Sequence, residues 1–250
     1  MKNRRYFLKQ GTLATMAMLV LKPFTTIASI GSPFAGIGNS YGKLVFLHTG
    51  NLNTYSDYKV IQYIRDMKNK NANAILLNAG QDIKDDTGSL SYDASNNGGN
   101  ELSAITGDYK IITKGNIKTG LISAKPGDKD VIQKINELAV FLKKEKNCRV
   151  VVCLSQLGYK NKNTPDDVSL ANKSTHVDII IGGHAENFKE HPIITLNSNN
   201  AEVIIHAAAG DPAAFGKIEI DFDELGRKKH INFINKLSNK TTPNRAIPAA

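Results

Sequence analysis

Short, nearly unbroken apolar runs alternate along this chain with stretches of helical period. Lys43 to Leu47 reads as a buried strand, and Ala74 to Leu77, Ile117 to Ser123, Arg149 to Leu154 and Asp178 to Ile181 follow the same pattern. Between the first two, Val60, Ile61, Ile64 and Met67 recur at helical spacing behind Ser56, a suitable N-cap. A longer helix is expected from an Asp128 cap to Lys146, with Val131, Ile135, Leu138, Val140 and Leu142 on its inner side. Strands that are apolar throughout, alternating with helices, predict a parallel sheet covered on both faces. From Pro192 to Asn235 the pattern turns to strands alone: Ile193–Leu196, Val203–Ala207, Gly216–Phe222 and His230–Ile234. That closing run predicts a second sheet, or an antiparallel continuation, packed on the first. Asp85 to Asn116 is rich in Gly, Ser, Asn and Asp and reads mostly as loop, a long irregular stretch for a compact domain.

The two ends read differently from the middle. Asn3-Arg4-Arg5-Tyr6-Phe7-Leu8-Lys9 looks like a twin-arginine export motif, followed by an apolar run from Gly11 to Leu21 that Lys22 and Pro23 interrupt. That run is too short to span a bilayer and fits the apolar region of a signal segment. Small residues at Ala28, Ser29, Gly31 and Ser32 offer cleavage sites, and no cysteine follows that would take a lipid anchor. The division expected is a signal segment over 1–30, a linker over 31–42, one domain over 43–235 and a flexible tail over 236–250. The mature protein is expected to be periplasmic or otherwise exported, with no stable membrane anchor.

Composition changes the picture in two places. The formal charge of +9 includes Lys2, Arg4, Arg5, Lys9 and Lys22, so without residues 1–30 it falls to 9 − 5 = +4. The remaining surplus is spread thinly with no basic cluster interleaved with aromatics, which argues against a nucleic-acid partner. Cys148 and Cys153 fall on one expected strand, an odd five residues apart. That separation puts them on opposite faces with Cα atoms about 16 Å apart, beyond the roughly 7 Å a disulfide tolerates. They read as small buried apolar groups.

The candidate chemistry lies where strands end. Four such ends read His48-Thr49-Gly50-Asn51-Leu52-Asn53, Asn78-Ala79-Gly80-Gln81-Asp82, Leu154-Ser155-Gln156-Leu157-Gly158-Tyr159 and Ile181-Gly182-Gly183-His184-Ala185-Glu186. In this order they resemble the calcineurin-like metallophosphoesterases, specifically the catalytic domain of the 5′-nucleotidase / UDP-sugar hydrolase family. That family reads H-T-N-D-x-H-G, then A-G-D, then G-N-H-E, then S-H-x-G, then G-G-H-x-H or G-G-H-x-Q. The resemblance runs from about Lys43 to Ile234 and implies a four-layer α/β/β/α sandwich with a mostly parallel first sheet. Asp178, Ala209-Gly210 and Phe215-Gly216 also fit its pattern.

The framework matches while the ligands depart. A two-metal phosphoesterase holds two dications about 3.5–4 Å apart, which demands anionic ligands and above all a bridging carboxylate. Along the resemblance Asn51 stands for the Asp of the first motif and Asn53 for its His, while Gln81 replaces the bridging Asp. Asp82 is one residue out of register and points the other way at a strand end. The family's G-N-H-E falls on Gly98-Gly99-Asn100-Glu101, so Gly99 replaces a metal-binding Asn and Asn100 the catalytic His. Gln156 replaces the His of S-H-x-G. His184 keeps the family's role as a metal ligand, and Glu186 takes the last ligand position.

The residues therefore leave two main readings open. One is a non-catalytic module that keeps the fold for binding or for a partner. The resemblance implies that partner is a separately encoded domain of the nucleotidase C-terminal type. The other is a phosphoesterase with a reduced site, one divalent ion held by His184, Glu186 and Asp82. A nucleotide-binding role ranks last, since no phosphate-cradling glycine motif is present. The remaining histidines read as structural: His48 as framework, His206 as a satisfied core residue, and His176, His191 and His230 as surface. Asp82, Asp85, Asp86 and Asp108 read as a solvated acidic loop.

Overall fold

The computed structural model describes residues 42–50, 58–80, 90–96, 105, 107–128, 130–183, 191–207, 215–237, 240–241 and 247–248. The segment expected to act as a signal, and the expected site positions Asn51, Asn53, Gln81, Asp82, Gly99, Asn100, His184 and Glu186, lie outside these described residues, as do Asp85 and Asp86.

Two sheets lie face to face. The first contains β1 (Lys43–Thr49), β2 (Ala74–Asn78), β3 (Ala94–Ser95), β10 (Phe215–Phe222) and β11 (Lys228–Leu237), in the order β11-β10-β1-β2-β3. Its early strands β1, β2 and β3 run parallel, and β10 and β11 extend it antiparallel from β1. The two-residue β12 (Lys240–Thr241) and β13 (Ile247–Pro248) pair with β11, within the tail expected to lack structure. The second sheet runs β4 (Tyr109–Lys114), β5 (Ile117–Ala124), β6 (Val150–Ser155), β7 (Ile179–Gly182), β9 (Glu202–Ala207), β8 (Ile193–Leu196). Strands β5, β6, β7 and β9 are parallel, with antiparallel β4 and β8 at the edges.

Alternation along the strands explains the layers. Leu44 and Phe46 of β1, Ile75 and Leu77 of β2, Val152 and Leu154 of β6, Ile179 and Ile181 of β7, and Ile218 and Ile220 of β10 form one buried cluster between the sheets. Their neighbours one residue along point outward. Val45, Leu47 and Leu76 meet Val60, Ile61 and Ile64 of α1 (Tyr58–Lys70). On the far side Val151, Ile180 and Ile205 meet Val131, Ile135, Ala139 and Leu142 of α2 (Val131–Lys144) and Leu170 and Ala171 of α3 (Asp167–Lys173). Three apolar layers between four tiers of elements make the α/β/β/α sandwich that the apolar strands and helical periods call for. Each fully buried Leu, Ile or Phe contributes roughly 2 kcal/mol, so strands buried on both faces are the main reservoir of stability.

Several local expectations change. Tyr109–Lys114, within the segment read as loop, pairs antiparallel with β5 across a turn at Gly115. Its residues are mostly half-buried, so the apolar signal is weak. Helix α3 has no hydrophobic period to announce it. It is held by a capping box in which Asp166 accepts from Ser169 N (2.6 Å) and donates its own N–H to Ser169 Oγ (2.9 Å). Asp128 does not cap α2: the N-cap is Asp130, whose N–H donates to Asp128 Oδ1 at 3.2 Å. Leu138 and Val140 of α2 are half-buried, and Ala139 takes the inner position. Cys148 and Cys153 do not lie on opposite faces. Cys148 precedes β6, so strand alternation does not reach it, and both free thiols pack in the same layer against α2 and α3.

One charged group joins the two sheets at the N-terminal ends of the parallel strands. Asp178, buried just before β7, accepts from Val151 N (2.7 Å) and pairs with Lys143 of α2 (2.7 Å) and Lys228 of β11 (2.9 Å). Burial alone would raise its pKa, but Lys143 and Lys228 outweigh it and hold the carboxyl below its ordinary value. A depressed carboxyl pKa stabilises above the unfolded value near 3.8 and is lost as pH falls through the folded one. Asp178→Asn strands two lysines against a neutral amide. The expected loss is about 3 kcal/mol at neutral pH, read by urea unfolding and shrinking below pH 3.8. A variant as stable as the parent at pH 7 would refute the clamp.

Candidate functional site

At the other end of the sandwich, the C-terminal ends of β1, β2, β6 and β7 come together. Gly183 donates its N–H to Ser155 O at 2.7 Å, and a Cβ placed on it would lie 1.9 Å from Ala79 O and 3.1 Å from Gly80 N. No side chain fits there, which accounts for glycine at 183. Gly50 meets the same point, a Cβ on it falling 3.9 Å from Gly183 O. Gln156, at the end of β6, is buried and donates from Nε2 to Gly80 O at 3.3 Å. Gly50, Gly80 and Gly183 immediately precede positions 51, 81 and 184. The described chain thus brings Gln156 together with the backbone leading into three of the other candidate positions.

Polar side chains fasten these ends. Asn78 Oδ1 accepts from Gly80 N (2.9 Å), tightening the turn after β2. Thr49 Oγ1 and Tyr92 OH lie 2.9 Å apart, and Asp93 accepts from Leu76 N (2.8 Å) while pairing with Lys68 (2.9 Å). Asn96 then ties the chain that follows β3 to the second sheet. Its Nδ2 donates to Leu154 O (3.2 Å), and its Oδ1 accepts from Ser123 Oγ. The segment leading towards Gly99 and Asn100 is therefore anchored at this same end. Asn96 was missed in the sequence because its surroundings are rich in Asn and Gly and carry no periodic signal.

Two buried groups lie just behind the ends. His48 of β1 and His206 of β9 meet across the sheets, Nε2 to Nδ1, at 2.6 Å. Burial lowers both, His206 to about 3 and His48 well below its ordinary value with His206 adding to the effect, so the pair is neutral at pH 7. One ring donates to the other, and among the described residues the outer nitrogens His48 Nδ1 and His206 Nε2 find no partner. His206 is thus a core residue, as its apolar strand suggests, but only half satisfied. Of the other histidines, His191 and His230 are exposed, whereas His176 is half-buried, its enclosed Nδ1 without a partner among the described residues. Asp108 is exposed and pairs with Lys134 at 3.1 Å.

The second buried group is Asp167, in the first turn of α3. Ser155 Oγ donates to its Oδ1 and itself accepts from Leu157 N at 3.2 Å, so this carboxyl supports the turn that carries Gln156. Burial pushes Asp167 up to about 7, against the opposing Ser155 hydrogen bond and with Asp166 adding a smaller rise. Among the described residues no three His, Cys, Asp or Glu side chains come close enough to hold a metal ion.

No family model matches the chain, and no curated protein matches it. Solved structures do match. The 5′-nucleotidase precursor of Thermus thermophilus superposes with a TM-score of 0.57 at 17% identity, covering 78% of this chain and 54% of that one. The NAD nucleotidase of Haemophilus influenzae gives 0.58 at 16% identity, covering 81% and 54%. The Thermus thermophilus sulfate thiohydrolase SoxB gives 0.50 at 14%, covering 74% and 42%. The chain spans about half the length of these three structures. Its fold is that of the calcineurin-like metallophosphoesterase domains of these nucleotidases.

The Asp167 geometry generates a pH test. A carboxyl whose folded pKa is raised stabilises the folded state below its unfolded value and loses that contribution as pH rises through the folded one. Asp167 should therefore make stability fall between pH 3.8 and about 7, by up to about 1.4 kcal/mol per pH unit. Asp167→Asn keeps an acceptor for Ser155 Oγ and should be more stable than the parent at pH 8. Its difference from the parent should vanish near pH 4, as followed by denaturant unfolding across that range. A difference independent of pH would sink the assignment.

Proposed function

We propose that this metallophosphoesterase-fold chain is an exported, non-catalytic binding or partner module rather than a two-metal hydrolase. The observation that carries this reading is the bond made by Gln156. Its position corresponds to the histidine of the S-H-x-G motif, where an imidazole lone pair would meet a metal. Here an amide nitrogen donates to Gly80 O, and an amide nitrogen has no lone pair to offer. The same side chain links the two sheets at the point where metal ligation would otherwise do so.

The donor types at the other positions agree. Asn51, Asn53 and Gln81 are neutral amides, Gly99 has no side chain, and Asn100 has no titratable proton for general-acid work. Two dications held close need carboxylates to offset their repulsion, and His184, Glu186 and an out-of-register Asp82 do not make that set. The residues do not fit a dinuclear centre.

The test is metal content with turnover on the same sample. Purified mature chain is dialysed against micromolar Zn²⁺ or Mn²⁺, counted, and assayed on AMP and p-nitrophenyl phosphate. We expect fewer than two tightly held ions per chain and no metal-dependent hydrolysis. Two bound ions with hydrolysis that disappears in His184→Ala would overturn the reading.

Export rests on the Arg4-Arg5 motif and the apolar run after it. Among the described residues no helix is long and apolar enough to cross a membrane. Replacing Arg4 and Arg5 with lysine should leave an unprocessed precursor inside the cell, seen by fractionation and immunoblot. Unchanged processing would remove the twin-arginine route.

A further inference from the structure

His48 of β1 and His206 of β9 are both fully enclosed in the layer between the sheets. Their ring centroids lie 4.7 Å apart with the planes at 80°. The fold makes room for them. Gly216 of β10 is the register partner of His48. A Cβ there would collide with Nε2 and Cε1 of His48 and lie 2.8 Å from Cε1 of His206. Phe233 of β11 packs on His206 with ring centroids 6.1 Å apart.

Geometry limits how many protons the pair can hold. Nε2 of His48 and Nδ1 of His206 meet at 2.6 Å, so one carries a hydrogen and the other must be bare. One added proton goes to an outer nitrogen and leaves this bond intact. A second sets N–H against N–H and replaces the bond by repulsion between like charges. No described carboxylate takes up that charge. Lys217 and Glu219, beside Gly216 on β10, alternate to the outer face and pair with each other at 2.7 Å. Among the described residues of β1, β9, β10 and β11, the one titratable group acting on His48 is His206, and burial alone acts on His206.

The pair also stands beneath the candidate site. His48 lies two residues before Gly50, and His206 is in register with Ile181, two residues before Gly183. Gly50 and Gly183 meet at the strand ends, so parting β1 from β9 loosens their junction.

We propose that His48 and His206 form an acid-released latch, in which double protonation breaks their bond, parts β1 from β9 and loosens the Gly50–Gly183 junction. The latch works whether or not the chain hydrolyses anything. Both rings sit below their unfolded value of 6.5, His206 at about 3, so the opened chain takes up protons first. The pair therefore stabilises above pH 6.5 and loses that contribution as pH falls towards 3.

Urea unfolding of the full chain at a series of pH values below neutrality tests this, beside the double variant His48→Gln/His206→Asn. That variant puts an amide nitrogen at the Nε2 position and an amide oxygen at the Nδ1 position, so the contact survives without a titrating group. Below pH 6.5 the unfolding constant of the parent should rise relative to the variant by up to about a hundredfold per pH unit, tenfold for each ring. Asp167, His176 and Asp178 are common to both chains and cancel. Equal slopes would overturn the proposal. Hydrogen exchange of the parent needs no variant: the Gly183 N–H, bonded to Ser155 O, should lose protection at a higher pH than the Val151 N–H held by Asp178 at the opposite end. Loss of both together, or a ring of the pair taking up a proton near pH 6.5 in the folded chain, would also overturn it.

Discussion

The layer between the two sheets sets the terms for the rest of the molecule. Leu44, Phe46, Leu77, Leu154, Ile181 and Ile220 are removed from water there by strands whose other faces are covered by helices. A polar group entering such a layer must find a partner inside it, because an unpaired buried donor or acceptor costs about 1–3 kcal/mol. The layer is closed at both ends by groups of this kind. At one end Asp178 draws Lys143 and Lys228 onto itself. At the other, His48 and His206 use each other and stay neutral.

The same closure shapes the candidate site. With Gly183 pressed against Ala79 O and Gln156 bonded to Gly80 O, the ends of β2, β6 and β7 are locked by contacts among protein atoms. Asn96 brings the chain after β3 onto the second sheet, and Asp167 supports the turn that holds Gln156. These interactions link both sheets at the place where a metallophosphoesterase carries its chemistry. A scaffold fastened in this way holds the shape of these strand ends by contacts among its own atoms.

Charge is organised along the same axis. The opposite end gathers Lys143, Arg149, Arg227 and Lys228 around one cleft, with Asp178 shared by the two lysines and Asp223 beside Arg227. The formal surplus of the whole chain is dispersed and marks no particular surface. Charged groups of both signs are local there because a helix end, a strand start and a hairpin from the other sheet meet.

The amino-acid order alone was enough for the strands and helices whose period is strong. Lys43–Thr49, Val150–Ser155 and α1 were legible because burial on one or both faces leaves a regular apolar mark. It also determined the order of the strand-end motifs, and hence the fold and the residue types at the candidate positions. Elements held by few apolar contacts left no such mark: the half-buried β4, the capped α3 and the loop carrying Asn96. The pairing of His48 with His206, 158 residues apart, and the lysines shared by Asp178 were decided by the tertiary structure alone. So was the layer common to both cysteines. Periodicity records which side of an element avoids water, whereas partners distant in the chain are chosen only when two sheets close on each other.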